Sequence, residues 1–371
     1  MRTPSWDRAA FEAKRICAAV RRRECCAYQF ADGFDNYNTA SELYETVGGT
    51  VTYGTAYRRL TPPSGLPGQG VYLTQATGAY LRKNLQSSQS TFICKVAYCP
   101  QQVPASASQI IGVYDSGVSQ IALCYGNAGG LIAYSGWEHV GGDIFLGETS
   151  PGLITTGNYY GIEVEFVISS GGGAVTVWLN GTQVLQVTGL STNFSGSGTA
   201  NQVQIGDGGL NCYFDDLRVW DNVGSYQSAP MGTDSRIITK LPTGAGAFTQ
   251  WTPNGAAANY GCVDDNPPDG DTTYVSGATA GLQDAYAMPL AYLTLAPAMV
   301  VARSYVRKDD SNSRTMAIGV ASSGIPSVGP TYTLASGYTF TDACIPLDPH
   351  TTAVWTAAAA DAAQHYKEEL S

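Results

Sequence analysis

The chain has 371 residues with 43 Gly, 23 Tyr and only 13% charged residues, a composition of strands and tight turns that excludes a mainly helical protein. Its net charge of −10 is uneven: residues 1–30 carry seven Arg or Lys against three acids, so the body is acidic and ill suited to nucleic acid. No apolar run is long enough to span a membrane, and residues 1–30 lack the apolar centre of a secretory signal, so folding in a cytoplasm is expected.

Residues 5–24 read as an amphipathic helix. Trp6, Ala9, Ala10, Ala13, Ile16, Cys17 and Val20 recur at helical spacing, with Arg8, Arg15 and Arg22 opposite. With Arg21, Arg22, Arg23, Cys25 and Cys26, residues 1–27 form a basic arm. Such a helix either packs on its own domain or docks onto neighbouring subunits. The nine cysteines match no zinc spacing, so most are expected as buried thiols. Cys17, Cys25 and Cys26 are candidates for disulfides to another chain.

Strand signals begin at 28–37 and continue through 50–57, 70–73, 90–98, 109–114, 119–125 and 130–134, the short spacing of a β-sandwich. In 159–187, Ile162, Val164, Phe166 and Ile168 alternate with Glu163 and Glu165. Val175, Val177 and Leu179 then lead into Asn180-Gly181, a hairpin signal. Cys212-Tyr-Phe-Asp-Asp-Leu-Arg-Val-Trp-Asp221 reads as the closing strand. Strict alternation puts Asp215 with Leu217 and Val219, facing inward, and Asp216 outward. The polar break after it sets a boundary near residue 224.

The pattern restarts at 231, with strands expected at 236–241, 248–251, 272–275, 290–295, 299–307, 314–321 and 332–340. Ala-rich residues 351–370 read as a helical tail. The fold class is therefore all-β: two β-sandwich domains of jelly-roll type, at 28–224 and 231–371, with a short N-terminal helical arm and a C-terminal helical tail.

Phe30-Ala-Asp-Gly-Phe-Asp-Asn-Tyr37, Tyr159-Tyr-Gly-Ile-Glu-Val-Glu165, Val175-Thr-Val-Trp-Leu-Asn-Gly181 and Tyr213-Phe-Asp-Asp-Leu-Arg-Val-Trp220 together resemble the concanavalin A-like, laminin-G-like jelly roll. Residues 231–371 resemble a module that follows this jelly roll in tailed-bacteriophage structural proteins. Arg236-Ile-Ile-Thr-Lys-Leu-Pro-Thr243, Pro268-Asp-Gly-Asp-Thr-Thr-Tyr-Val275, Arg307-Lys-Asp309 and Trp355-Thr356 carry that likeness. It implies a non-enzymatic virion subunit, on capsid, neck, collar, tail or fibre. Such a subunit would assemble through its arm with other phage proteins and as a homo-oligomer. The basic extension and the cysteine content depart from the family and suggest an attachment role.

Glycosidases share the jelly roll, but the retaining kind needs two carboxyls about 5–5.5 Å apart. Glu163-Val-Glu165 offers a start, yet Ile168 stands where the last Glu should fall. His139, His350 and His365 match no triad or ligand spacing. Asp215, Asp265, Asp269 and Asp271 are calcium candidates, but Pro267 and Ser276 break an EF-hand frame, and Pro-Asp-Gly is strong turn chemistry. Asp215 reads first as a buried acceptor for backbone N–H groups. No other cofactor is expected. The alternative to the virion reading is an adhesin or lectin for host surface glycans, stacking sugars on Tyr134, Trp137 and Trp220.

Overall fold

A computed structural model describes residues 27–37, 39–137, 142–232, 235–291 and 293–371. The arm, with Trp6, Ile16, Cys17, Val20, Arg21, Arg22, Arg23, Cys25 and Cys26, lies outside the described residues. The described chain is all-β and its sheets are antiparallel throughout.

Residues 28–221 build two facing sheets. One runs Thr182–Leu190, Gly173–Leu179, Tyr160–Val167, Thr91–Pro100, Cys212–Asp221, Gly70–Leu73 and Val51–Gly54, with Tyr28–Asp32 also pairing on Cys212–Asp221. The other runs Ile144–Glu148, Leu131–Ser135, Val118–Tyr125, Ser108–Asp115, Ala200–Ile205, Tyr80–Gln89 and Thr46–Gly48. Alternate residues of both sheets meet in one dry core, including Phe92, Val96, Val164, Phe166, Ile121, Leu123 and Phe214. This is the period-two pattern of the sequence made solid. Asn180 and Gly181 both take positive φ at the hairpin, as the Asn-Gly pair requires.

Three inferences from alternation fail here. Phe214 enters the core, so its neighbour Asp215 lies on the other face of the strand and does not share the inward face of Leu217 and Val219. Asp216 is buried, not exposed: it stands at a bulge between Asp215 and Arg218 with a φ of 55°, and its carboxylate accepts Ile237 N–H from the outgoing chain that covers it. Glu163 is also buried. Its carboxylate accepts the backbone N–H groups of Met231 and Gly232, both at 2.8 Å, so the outgoing chain covers the face that polarity marked as wet.

Beyond residue 243, Gly244–Thr249, Gln283–Ala287, Gln364–Glu369, Thr315–Ser322 and Ile325–Thr333 form a five-stranded sheet. The two-stranded sheet of Val300–Val306 and Thr339–Ile345 packs on it through Ala302, Met316, Ile318, Ala343, Ile345 and Trp355. The expected helical tail is corrected. Only Ala357–Asp361 is helical, capped by Thr356, whose Oγ1 accepts from Ala359 N at 3.1 Å. Gln364–Glu369 is instead an interior strand bonded on both sides. A run of alanines favours helix by propensity, but two waiting strand edges supply more hydrogen bonds than one short helix can. Residues 236–241 are extended without a ladder: Ile237 N donates to Asp216 and Thr239 Oγ1 to Asp35. The described residues of 290–295 form no strand.

The two sets of sheets meet at Arg303. Its Nε and Nη2 grip Asp342 at 2.7 and 2.8 Å, Nη2 donates to Ala31 O at 2.6 Å, and Nη1 lies 3.6 Å from Asp32. Asp32 also accepts from the hydroxyls of Tyr37 and Tyr44, and Tyr28 donates to Asp342.

Candidate functional site

On Val118–Tyr125, Ile121, Leu123 and Tyr125 enter the core, leaving Ala122 and Cys124 on the outer face. Small side chains there make a seat for Trp137, which Gly136 delivers with a φ of 71°. Trp137 is 9% exposed, and its Nε1 donates to Asp207 at 3.2 Å. Asp207 is fixed in turn by Ser108 Oγ and by the N–H groups of Gln109 and Gly209. Tyr134 stacks against Trp137 at 4.9 Å and meets the edge of Phe145 at 6.2 Å.

Phe145 and Ile144 are 56% and 48% exposed. A bulge between Phe145 and Gly147 breaks alternation and lets two successive apolar residues face water. The shelf is thus exposed Phe145 and half-buried Tyr134, with Trp137 as the buried support. Exposed Asp143 and Glu148 lie near the Tyr134 hydroxyl. Burial raises the Tyr134 pKa, and Cys124, Asp143 and Glu148 add to it. Aromatic faces beside carboxylates can stack the C–H face of a sugar and accept its hydroxyls. Phe145, Asp143 and Glu148 escaped the sequence reading, although the adjacent Ile144-Phe145 pair in a strand was the available signal.

Trp220 is corrected as a glycan candidate. It is 1% exposed, packs with Ala27 and Ile93, and donates Nε1–H to Ala229 O at 3.3 Å. Trp137 too is a supporting residue and offers sugar little surface.

The calcium candidates do not converge. Asp215 accepts the N–H groups of Arg59 and Asp216, both at 2.8 Å, the structural role expected of it. Asp265 and Asp269 both hold Thr273 Oγ1, and Asp271 pairs with Arg307 and Tyr338. Among the described residues no group of three or more acids, His or Cys could hold a metal.

Burial and the neighbouring Asp216 raise the Asp215 pKa. Burial pushes Asp35 up to about 6, against hydrogen bonds from Thr239 and Gln69 that lower it. A folded pKa above the unfolded one means stability present below about pH 4 and lost as pH rises through about 6. Asp35→Asn keeps an acceptor for Gln69 N and should remove this term. In urea unfolding, its advantage over the parent should grow by roughly 1–3 kcal/mol from pH 4 to pH 7. Parallel pH curves for the two proteins would show that Asp35 does not titrate as described.

A second polar cluster lies inside the C-terminal sheets, which the sequence reading missed. Lys367 and His365 stand opposite Ile318 and Val320 on one side and Asp284 and Tyr286 on the other, on the inward face with Glu369. A cavity of about 1160 Å³ reaches Trp251, Tyr286, His365 and Lys367. Its signal was period two in His365-Tyr-Lys-Glu-Glu369, hidden by the helical reading. His365 Nε2 lies 3.0 Å from Ser304 Oγ and 3.2 Å from Arg303 O. A carbonyl only accepts, so Nε2 carries the proton and cannot act as base toward Ser304. His365 Nδ1 is buried without a partner, and burial, with Lys367 adding, lowers the ring pKa to about 4.

No family model and no curated protein matches this chain. Among solved structures, it is similar to the alginate lyase Aly36B at 15% identity and a TM-score of 0.37, over 54% of this chain and 99% of that one. It is similar to carbohydrate-binding module CBM66 from Bacillus subtilis at 9% identity and a TM-score of 0.32, over 47% and 94%. The third, galectin LEC-6 of Caenorhabditis elegans, gives 15% identity and a TM-score of 0.27, over 38% and 89%. All three scores are low, and no residue's role is taken from them.

Proposed function

We propose that this protein is a non-enzymatic carbohydrate-binding adhesin that captures a neutral glycan on the shelf of Phe145 and Tyr134. The observation that carries this reading is the exposed Phe145 ring beside the half-buried Tyr134, seated on Trp137 and flanked by Asp143 and Glu148. Exposed aromatics on a rigid sheet lose little entropy on binding, and carboxylates orient hydroxyls. Acidic sugars are disfavoured by the two carboxylates and by the net charge of −10.

A glycan array with the full chain tests this, followed by calorimetry with the best neutral hit. Phe145→Ala should weaken binding about tenfold, or 1.4 kcal/mol, without changing thermal stability by more than a degree or two. Equal binding by Phe145→Ala would remove the shelf as the site.

A second reading is that the adhesin is a tailed-phage virion subunit of two β domains, carried by the basic arm. The supporting observation is the Arg303 junction, which ties the two sets of sheets together as a projecting structural protein needs.

A further inference from the structure

We propose that Lys367 and Asn259 join through an amide bond between their side chains, formed inside the folded chain, with Asp284 carrying the proton. Such a bond needs an amine, a held carboxamide and a proton carrier at the leaving nitrogen. The interior of the C-terminal sheets brings these together, independently of any glycan binding.

Lys367 is 6% exposed and makes no side-chain hydrogen bond or ion pair among the described residues. Its Nζ lies 4.3 Å from the centre of the Trp251 ring and 5.1 Å from that of Tyr286. Burial lowers its pKa to about 7, with Asp284 acting in the other direction, so a large share of the amine is neutral and nucleophilic near neutrality.

Asn259 is held at its nitrogen. Nδ2 donates to Trp251 O and to Asp284 Oδ2, both at 2.8 Å. Asp284 is 0% exposed, accepts the Tyr286 hydroxyl at 2.7 Å, and sits directly across the strand pair from Lys367. The carboxylate therefore touches the nitrogen that must leave, on the residue paired across the strands with the attacking lysine.

In the step, neutral Lys367 Nζ adds to Asn259 Cγ. Asp284 takes a proton from Nζ and delivers it to Nδ2, the Cγ–Nδ2 bond breaks, and ammonia departs. Amine plus carboxamide gives secondary amide plus ammonia, with no oxidant and no added reagent. Fixed neighbours in a folded interior supply the high effective concentration that the uncatalysed reaction lacks.

Mass spectrometry of the purified full chain tests this. The expected deficit is about 17 Da against the sequence mass, with a branched peptide joining Lys367 to Asn259 after digestion. Lys367→Met and Asp284→Asn should each restore the sequence mass. The wild-type branched peptide decides the matter even where a variant fails to fold. A wild-type chain at its full sequence mass overturns the proposal. So does a deficit traced to a ring closure at Asn180-Gly181, or an amide joining Lys367 to Asp284 instead.

Discussion

Replacing Arg303 by Ala is expected to lower stability by about 3–5 kcal/mol, because it leaves buried carboxylates without their cation. The side chain is 13% exposed and touches two of them, Asp342 from the strand paired with its own and Asp32 from the first strand described. Asp32 is itself unexposed in its side chain. Burial raises its pKa, while Arg303, Tyr37 and Tyr44 pull it down. Without the guanidinium, Asp32 must protonate or draw in water, and Ala31 O loses its donor. The phenyl rings of Phe30 and Phe340, 5.8 and 5.9 Å from the guanidinium, lose their cation as well. Urea unfolding followed by tryptophan fluorescence measures the effect, and the two sets of sheets should then melt in separate steps. A loss below about 1 kcal/mol with one cooperative transition would mean that the junction does not depend on this residue.

Trp355→Ala should cost about 3–5 kcal/mol in the C-terminal sheets. The indole is 1% exposed, packs among the buried residues around Ile318 and Ile345, and donates Nε1–H to Ile345 O at 2.8 Å. Its removal leaves a cavity and an unpaired carbonyl. The neighbouring Val354, 67% exposed, is the internal control, and Val354→Ala should stay within about 0.5 kcal/mol. Equal midpoints for the two variants would show that Trp355 does not anchor this core.

Much of residues 28–221 was legible because alternate residues of its strands point into one shared core. Ile162, Val164 and Phe166 announce themselves by alternation, and Asn180-Gly181 announces the turn. Glu163 misled the reading for the same reason. Polarity marks a face as wet only when nothing else covers it, and Met231 and Gly232 cover it from 68 and 69 residues away. Asp216 was misplaced by a bulge, which local sequence does not encode unless a glycine marks it.

The candidate site was half legible. Tyr134 and Trp137 were found as aromatics near a strand end, but Trp220 looked identical by composition and is buried. Phe145 was missed because its exposure depends on an irregular pairing with Tyr134, a property of two strands together.

What the sequence determined by itself was the all-β class and the hairpin at Asn180-Gly181. These follow from side-chain period and backbone permissiveness, which are local. Tertiary structure alone decided that Gln364–Glu369 is a strand and that a buried Lys367 stands across from Asp284. It alone brought Arg303 onto Asp32. Pairing partners and desolvation arise between segments far apart in the chain, and no local pattern of residues carries them.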